Sequence, residues 1–213
     1  MTEPAPGADA RPLRYVALGD SYTIGTAVER PDAAWPDQLV RRCRASDGQP
    51  LLELVANLGV NGFTSRDVVE QELPRLAALE PGFASILVGV NDVIQGVRLE
   101  TYEANAATIL DALLERLPPN RIVAVSTPDY TVTPQGAEYG EPVARSAGIR
   151  RVNEVLARLA AERAIAFVDV HDLSLRAATD RSLVADDGLH PSGAQYRLWV
   201  DRCVPAVMDL LGR

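Results

Sequence analysis

Five short apolar runs, each followed by a longer stretch with helical spacing, constrain this chain more than any other feature. The runs are Leu13–Leu18 (LRYVAL), Leu51–Ala56 (LLELVA), Ala84–Val88 (ASILV), Arg121–Ser126 (RIVAVS) and Ile165–Val170 (IAFVDV). None alternates strictly between apolar and polar residues, so each reads as a strand covered on both faces. Helical spacing occupies Trp35–Cys43, Ser65–Leu79, Thr101–Leu117, Ala144–Arg163 and Ala194–Leu211. Pro36 suits a first helical turn, whereas Pro74 and Pro205 fall inside the second and last stretches and predict a kink or break there. Alternation of this kind predicts an α/β fold: a three-layer α/β/α sandwich with a five-stranded parallel sheet in flavodoxin-like order. In such a sheet, ligands bind beyond the carboxyl ends of the strands.

The length of 213 residues and an apolar share of 47% suit one domain, expected over residues 13–213 after a disordered tail at 1–12. That tail, MTEPAPGADARP, has no apolar core of the kind a signal peptide carries, so the expected compartment is the cytoplasm. A formal net charge of −8 argues against a nucleic-acid partner. No apolar run reaches the roughly 18 residues a membrane span needs. Cys43 and Cys203 read as buried thiols on helices. The long irregular segment 128–148, after the fourth strand, is expected to serve function. Nothing in the sequence sets an oligomeric state.

Chemistry is expected just past the strand ends. The first strand runs into Gly19-Asp20-Ser21, the second into Asn57, Gly59, Asn61 and Gly62, and the third into Gly89-Val90-Asn91-Asp92. Ser21 would have an exposed hydroxyl and a free first-turn N–H, but a serine needs a neighbouring base to attack anything. The chain has two histidines. His171, flanked by Asp169 and Asp172, reads as a loop brace. His190 stands between Gly188, which permits a sharp turn, and Pro191, which extends the residue before it. Ser192 and Gln195 form a capping pattern that starts the last helix near Gly193. Asp187, three residues before His190, can reach its Nδ1, as in a Ser-His-Asp triad. An Asn91 amide, a glycine N–H (Gly62, with Gly59 as the alternative register) and the Ser21 N–H would supply an oxyanion hole. Tyr22, Thr23, Val93, Ile94, Tyr130 and Tyr139 are candidate pocket walls.

Two histidines are too few for a two-metal phosphoesterase site. The glycine-rich nucleotide motifs are missing, as is the G-x-S-x-G of α/β-hydrolases. The four segments Gly19–Gly25 (GDSYTIG), Asn57–Thr64 (NLGVNGFT), Gly89–Asp92 (GVND) and Asp187–Pro191 (DGLHP) together resemble the SGNH (GDSL-type) hydrolase superfamily. They stand in that family's order and span nearly the whole chain after the tail; GDSY replaces the usual GDSL. The resemblance implies an esterase or lipase with nucleophile Ser21, base His190, orienting Asp187 and an oxyanion hole of Ser21, Gly62 and Asn91. It implies a small-molecule acyl ester substrate and neither metal nor organic cofactor. Acyl transfer and carbohydrate deacetylation use the same groups, and a non-catalytic flavodoxin-like binding module is the more distant alternative.

Overall fold

The computed structural model describes residues 11–213, so most of the expected tail lies outside the described residues. Five strands form, β1 (Leu13–Gly19), β2 (Leu52–Asn57), β3 (Phe83–Leu87), β4 (Ile122–Val125) and β5 (Ala166–Val168). Every neighbouring pair is parallel and the order is β2-β1-β3-β4-β5, the flavodoxin-like order. Helices cover both faces: α1 (Ser21–Ile24), α2 (Trp35–Arg42), α3 (Ser65–Asp67), α4 (Leu76–Leu79), α5 (Val90–Ile94), α6 (Leu99–Leu114), α7 (Pro142–Glu162), α8 (His171–Ser174) and α9 (Gly193–Leu210).

The continuous apolar character of the strands follows from burial on two sides. Tyr15 and Ala17 of β1 pack with Trp35 and Leu39 of α2 and with Trp199 and Cys203 of α9. Their neighbours Val16 and Leu18 face the other way, onto Tyr102 and Ile109 of α6 and Leu156 of α7. Each face thus excludes water independently, and the sheet is clamped between two cores.

The break expected at Pro74 is present, whereas the expectations for Pro205 and for the irregular segment meet a different outcome. The single helix over Ser65–Leu79 is divided into α3, a π-helical turn at Val68–Glu72, a 3-10 turn at Leu73–Arg75 and α4. Pro74 has no N–H for an α-helical bond, and the widened turn before it swings Glu72 towards β1. Pro205, by contrast, leaves α9 continuous. The irregular segment ends at Glu141 rather than Gly148. The Glu141 carboxylate accepts from the Val143 and Ala144 N–H groups at 3.0 and 2.7 Å, and Pro142 opens the helix. Cys43 and Cys203 are buried and unbridged, with Cys203 on α9 and Cys43 closing the end of α2.

Candidate active site

β1 stops at Gly19, where φ is +144°. A Cβ there would lie 2.0 Å from the Leu87 carbonyl oxygen and 2.5 Å from Thr23 Oγ1, so the chain can turn this tightly only at glycine. Asp20 caps the next turn, its Oδ1 accepting from the Tyr22 N–H at 2.9 Å. Ser21 is the first residue of α1, so its N–H has no partner within the helix.

His190 is held by a short turn closed by an antiparallel bridge between Val184 and Pro191. The Ala185 N–H donates to the His190 carbonyl at 2.8 Å. Asp187 does two jobs in that turn. Its Oδ1 accepts from the Leu189 and His190 N–H groups at 2.9 and 3.0 Å, and its Oδ2 lies 2.6 Å from His190 Nδ1. Burial acts to raise the Asp187 pKa, but hydrogen bonds from the Leu189 N–H, the His190 ring and the His190 N–H outweigh it and hold the carboxyl below its ordinary value. An ionised Asp187 accepts a hydrogen bond from an Nδ1–H of His190, the tautomer that leaves the Nε2 lone pair free. Only half of the expected capping pair after it forms: Ser192 Oγ accepts from the Gln195 N–H at 3.4 Å, while the Ser192 N–H is bonded to the Leu183 carbonyl.

Ser21, Gly62, Asn91 and His190 line one cleft of about 210 Å³. Tyr22, Ile94, Tyr130 and Tyr139 contribute to its walls, and the Tyr22 ring lies 5.6 Å from the His190 ring. Two candidate wall residues lie elsewhere. Thr23 is fully buried on the inner side of α1, its hydroxyl donating to the Leu18 carbonyl at 3.3 Å. Val93 is on the far side of α5 and lines a different cavity. The two candidate glycines also separate. Gly59 donates its N–H to Asn57 Oδ1 at 3.2 Å, and a Cβ there would meet the Asp20 carbonyl oxygen and the Ile24 nitrogen, both at 2.7 Å. Gly62 has φ +81° and open space around it, and its carbonyl accepts from Gln95 Nε2 at 3.1 Å. Of the two, only Gly62 lines the cleft.

Several residues to which sequence reasoning gave no role position these groups. Asp92 is buried and accepts from the Ser65 N–H at 2.8 Å and the Ser65 hydroxyl at 2.5 Å. This ties the start of α3 to α5, while Asn91 Nδ2 donates to the Phe63 carbonyl at 2.9 Å. The chain just after Gly62 is therefore fastened at two points, Phe63 and Ser65, to the helix carrying Asn91. Asn57 Nδ2 donates to the Thr23 carbonyl at 2.8 Å, fixing α1 against β2. The Asn-Asp pair and the Thr64–Asp67 capping pattern were the available signals; the Thr64 N–H and hydroxyl do bond Asp67 at 2.8 and 2.6 Å. His171 lies outside the cleft, its Nε2 3.6 Å from Asp129, at the start of the irregular segment.

Behind Ser21 lie two buried acids. Glu72 Oε2 accepts from the Gly19 N–H at 3.0 Å, and Glu72 Oε1 and Asp20 Oδ2 have no hydrogen-bond partner among the described residues. Burial pushes both carboxyls up to about 8 from ordinary values of 3.8 for Asp20 and 4.5 for Glu72. Between those limits the folded chain keeps protons that the unfolded chain releases, so the stability they contribute is complete below about pH 4 and is lost as pH rises towards 8. Unfolding in urea at pH 5 and pH 8 should show lower stability at pH 8, with a smaller difference in Glu72→Gln, which stays neutral throughout. Equal pH differences in the two proteins would contradict this placement of the proton.

Residues 17–198 match the GDSL-like Lipase/Acylhydrolase family. The chain belongs to that family. A search of curated proteins returns no significant match for this family member. Among solved structures, the GDSL-like chain is similar to a catalytic mutant of Axe2, an acetylxylan esterase from Geobacillus stearothermophilus, with TM-score 0.71, 20% identity and 94% of each chain covered. It is similar to LAE5, an alpha/beta hydrolase enzyme from the metagenome of Lake Arreo, Spain, with TM-score 0.70 and 20% identity over 94% of this chain and 95% of that one. TesA gives a TM-score of 0.69 at 20% identity, covering 92% of this chain and 99% of its own. At these identities the structures establish a shared fold. Among the described residues, no group of three or more His, Cys, Asp or Glu side chains is gathered to hold a metal, and no helix is long and apolar enough to cross a membrane.

Proposed function

We propose that this GDSL-family hydrolase is a serine esterase that cleaves carboxylic esters through Ser21, His190 and Asp187 without a cofactor. The observation that carries this reading is the 2.6 Å contact between Asp187 Oδ2 and His190 Nδ1, in a cleft that His190 shares with Ser21, Gly62 and Asn91. Ser21 Oγ attacks the ester carbonyl carbon as His190 Nε2 takes its proton, and Asp187 stabilises the imidazolium. The carbonyl oxygen becomes an oxyanion that accepts from the Ser21 N–H, the Gly62 N–H and the Asn91 amide. Asn91 Nδ2 carries two hydrogens, and the bond to the Phe63 carbonyl uses one, leaving the other for substrate. His190 then protonates the departing alkoxide. Water, deprotonated by His190, attacks the acyl-Ser21 carbonyl and releases the acid, restoring the serine hydroxyl.

Asn91→Ala should lower kcat/KM for a short p-nitrophenyl ester by on the order of a hundredfold, the usual cost of one oxyanion donor. Wild-type rates would remove Asn91 from the hole.

A cleft of about 210 Å³ is below the roughly 300 Å³ at which pockets for larger ligands begin, which favours short acyl groups. Deacetylation of carbohydrates is a second reading, supported by the likeness to an acetylxylan esterase. A comparison of p-nitrophenyl acetate, butyrate and octanoate with acetylated xylo-oligosaccharides tests this. The highest kcat/KM is expected on acetyl or butyryl esters, and no turnover of any would overturn the esterase reading.

A further inference from the structure

The cavity on the far side of α5 is larger than the cleft, about 410 Å³, and it combines features the cleft lacks. Val97, Leu99 and Val152 give it apolar walls together with Val93. Arg145 and Arg151 of α7 add two guanidinium groups, and neither has a carboxylate partner among the described residues. The one acid on the rim, Glu141, is occupied by the Val143 and Ala144 N–H groups of its own helix. Arg145 donates to the Val93 carbonyl, which fixes its guanidinium against α5. Gly148 lets α7 come close there, since a Cβ would lie 2.8 Å from Val93 Cγ1.

Neighbouring residues of the chain divide between the cavity and the cleft. Ile94 lines the cleft and Val93 the cavity; Tyr139 lines the cleft and Glu141 the cavity. Two unpaired cations over an apolar floor, in a chain of net charge −8, suit an anion joined to an alkyl chain.

We propose that this cavity receives the anionic end of the substrate, so that the preferred esters carry a carboxylate or phosphate on the part remote from the scissile bond. The proposal rests on the esterase reading. Arg151, whose side chain has no hydrogen bond among the described residues, supplies the adaptable cation, and Arg145 the fixed one. The ester carbonyl stays at Ser21 while the chain crosses the C-terminal end of α5 and its charge ends between the two arginines.

The test uses p-nitrophenyl octanoate, decanoate and dodecanoate against the hemiesters of suberate, sebacate and dodecanedioate, which match them in length, add a carboxylate and are long enough to cross a helix about 10 Å wide. Rates are corrected for spontaneous hydrolysis. The wild type should show a higher kcat/KM for at least one anionic ester than for its neutral match. Arg151→Gln should lower that anionic-to-neutral ratio about tenfold, the worth of one charge-assisted contact, and Arg151→Lys should restore most of it. A second arm repeats the series with a terminal phosphate and separates a carboxylate preference from a general anion preference. Turnover of the neutral esters with a ratio that Arg151→Gln does not change would overturn the anion site and leave the esterase reading standing. Turnover of neither series would overturn the esterase reading, and the anion site with it.

Discussion

Ser21→Ala is expected to reduce turnover of p-nitrophenyl acetate by at least about 10⁴-fold, with thermal stability within about 0.5 kcal/mol of wild type. The size of the loss follows from chemistry. Without Oγ no acyl-enzyme forms, and the remaining oxyanion donors can assist only a weak direct attack by water. The small structural effect follows from position. The cap of α1 is Asp20 and not Ser21, and the hydroxyl of Ser21 makes no hydrogen bond among the described residues. A variant that unfolds easily would mean the hydroxyl bears structural weight that these contacts do not show. A folded variant of full activity would remove Ser21 from the mechanism.

Asp187→Asn is the sharper of the two large effects, because it separates orientation from geometry. The amide oxygen can still accept from the Leu189 and His190 N–H groups, as Oδ1 does in the native turn, so the loop keeps its shape. The amide nitrogen then faces Nδ1 and donates to it. His190 is driven to the tautomer with its proton on Nε2, where it cannot take one from Ser21. A fall in kcat of about 10⁴ at neutral pH is expected, with KM little changed. A loss of less than about tenfold, with the fold intact, would show that Asp187 shapes the turn and does not set the tautomer.

The strands were the most legible part of the chain, because a parallel sheet buried on both faces writes itself as unbroken apolar runs. Each of the five lies within two residues of its expected start. The segments bearing Ser21, Gly62, Asn91 and His190 were legible for a related reason: glycines and turn residues mark where strands must stop. What stayed hidden depended on tertiary demand. The apolar spacing of Ser65–Leu79 is helical, but Pro74 and the reach of Glu72 to the Gly19 N–H divide it into four short turns. Thr23 and Val93 stand beside true wall residues in sequence, yet α1 and α5 are single turns, and one residue of rotation decides which side of the cleft a side chain meets. Asp92 and Asn57 stood in the segments past the strand ends, but their bracing roles were hidden because their partners, Ser65 and the Thr23 carbonyl, come from other strand ends. The extent of the irregular segment was overestimated because its end is set by one cap, Glu141, on a proline-initiated helix.

The central claim is that Ser21 becomes acylated because His190 deprotonates it. A fluorophosphonate reacts only with an activated serine, so labelling followed by intact-mass and peptide mapping tests that claim most directly. The account predicts one adduct per chain, on Ser21, absent from Ser21→Ala and formed far more slowly in His190→Ala. An adduct on another residue, or ester hydrolysis persisting after Ser21 is fully labelled, would contradict it.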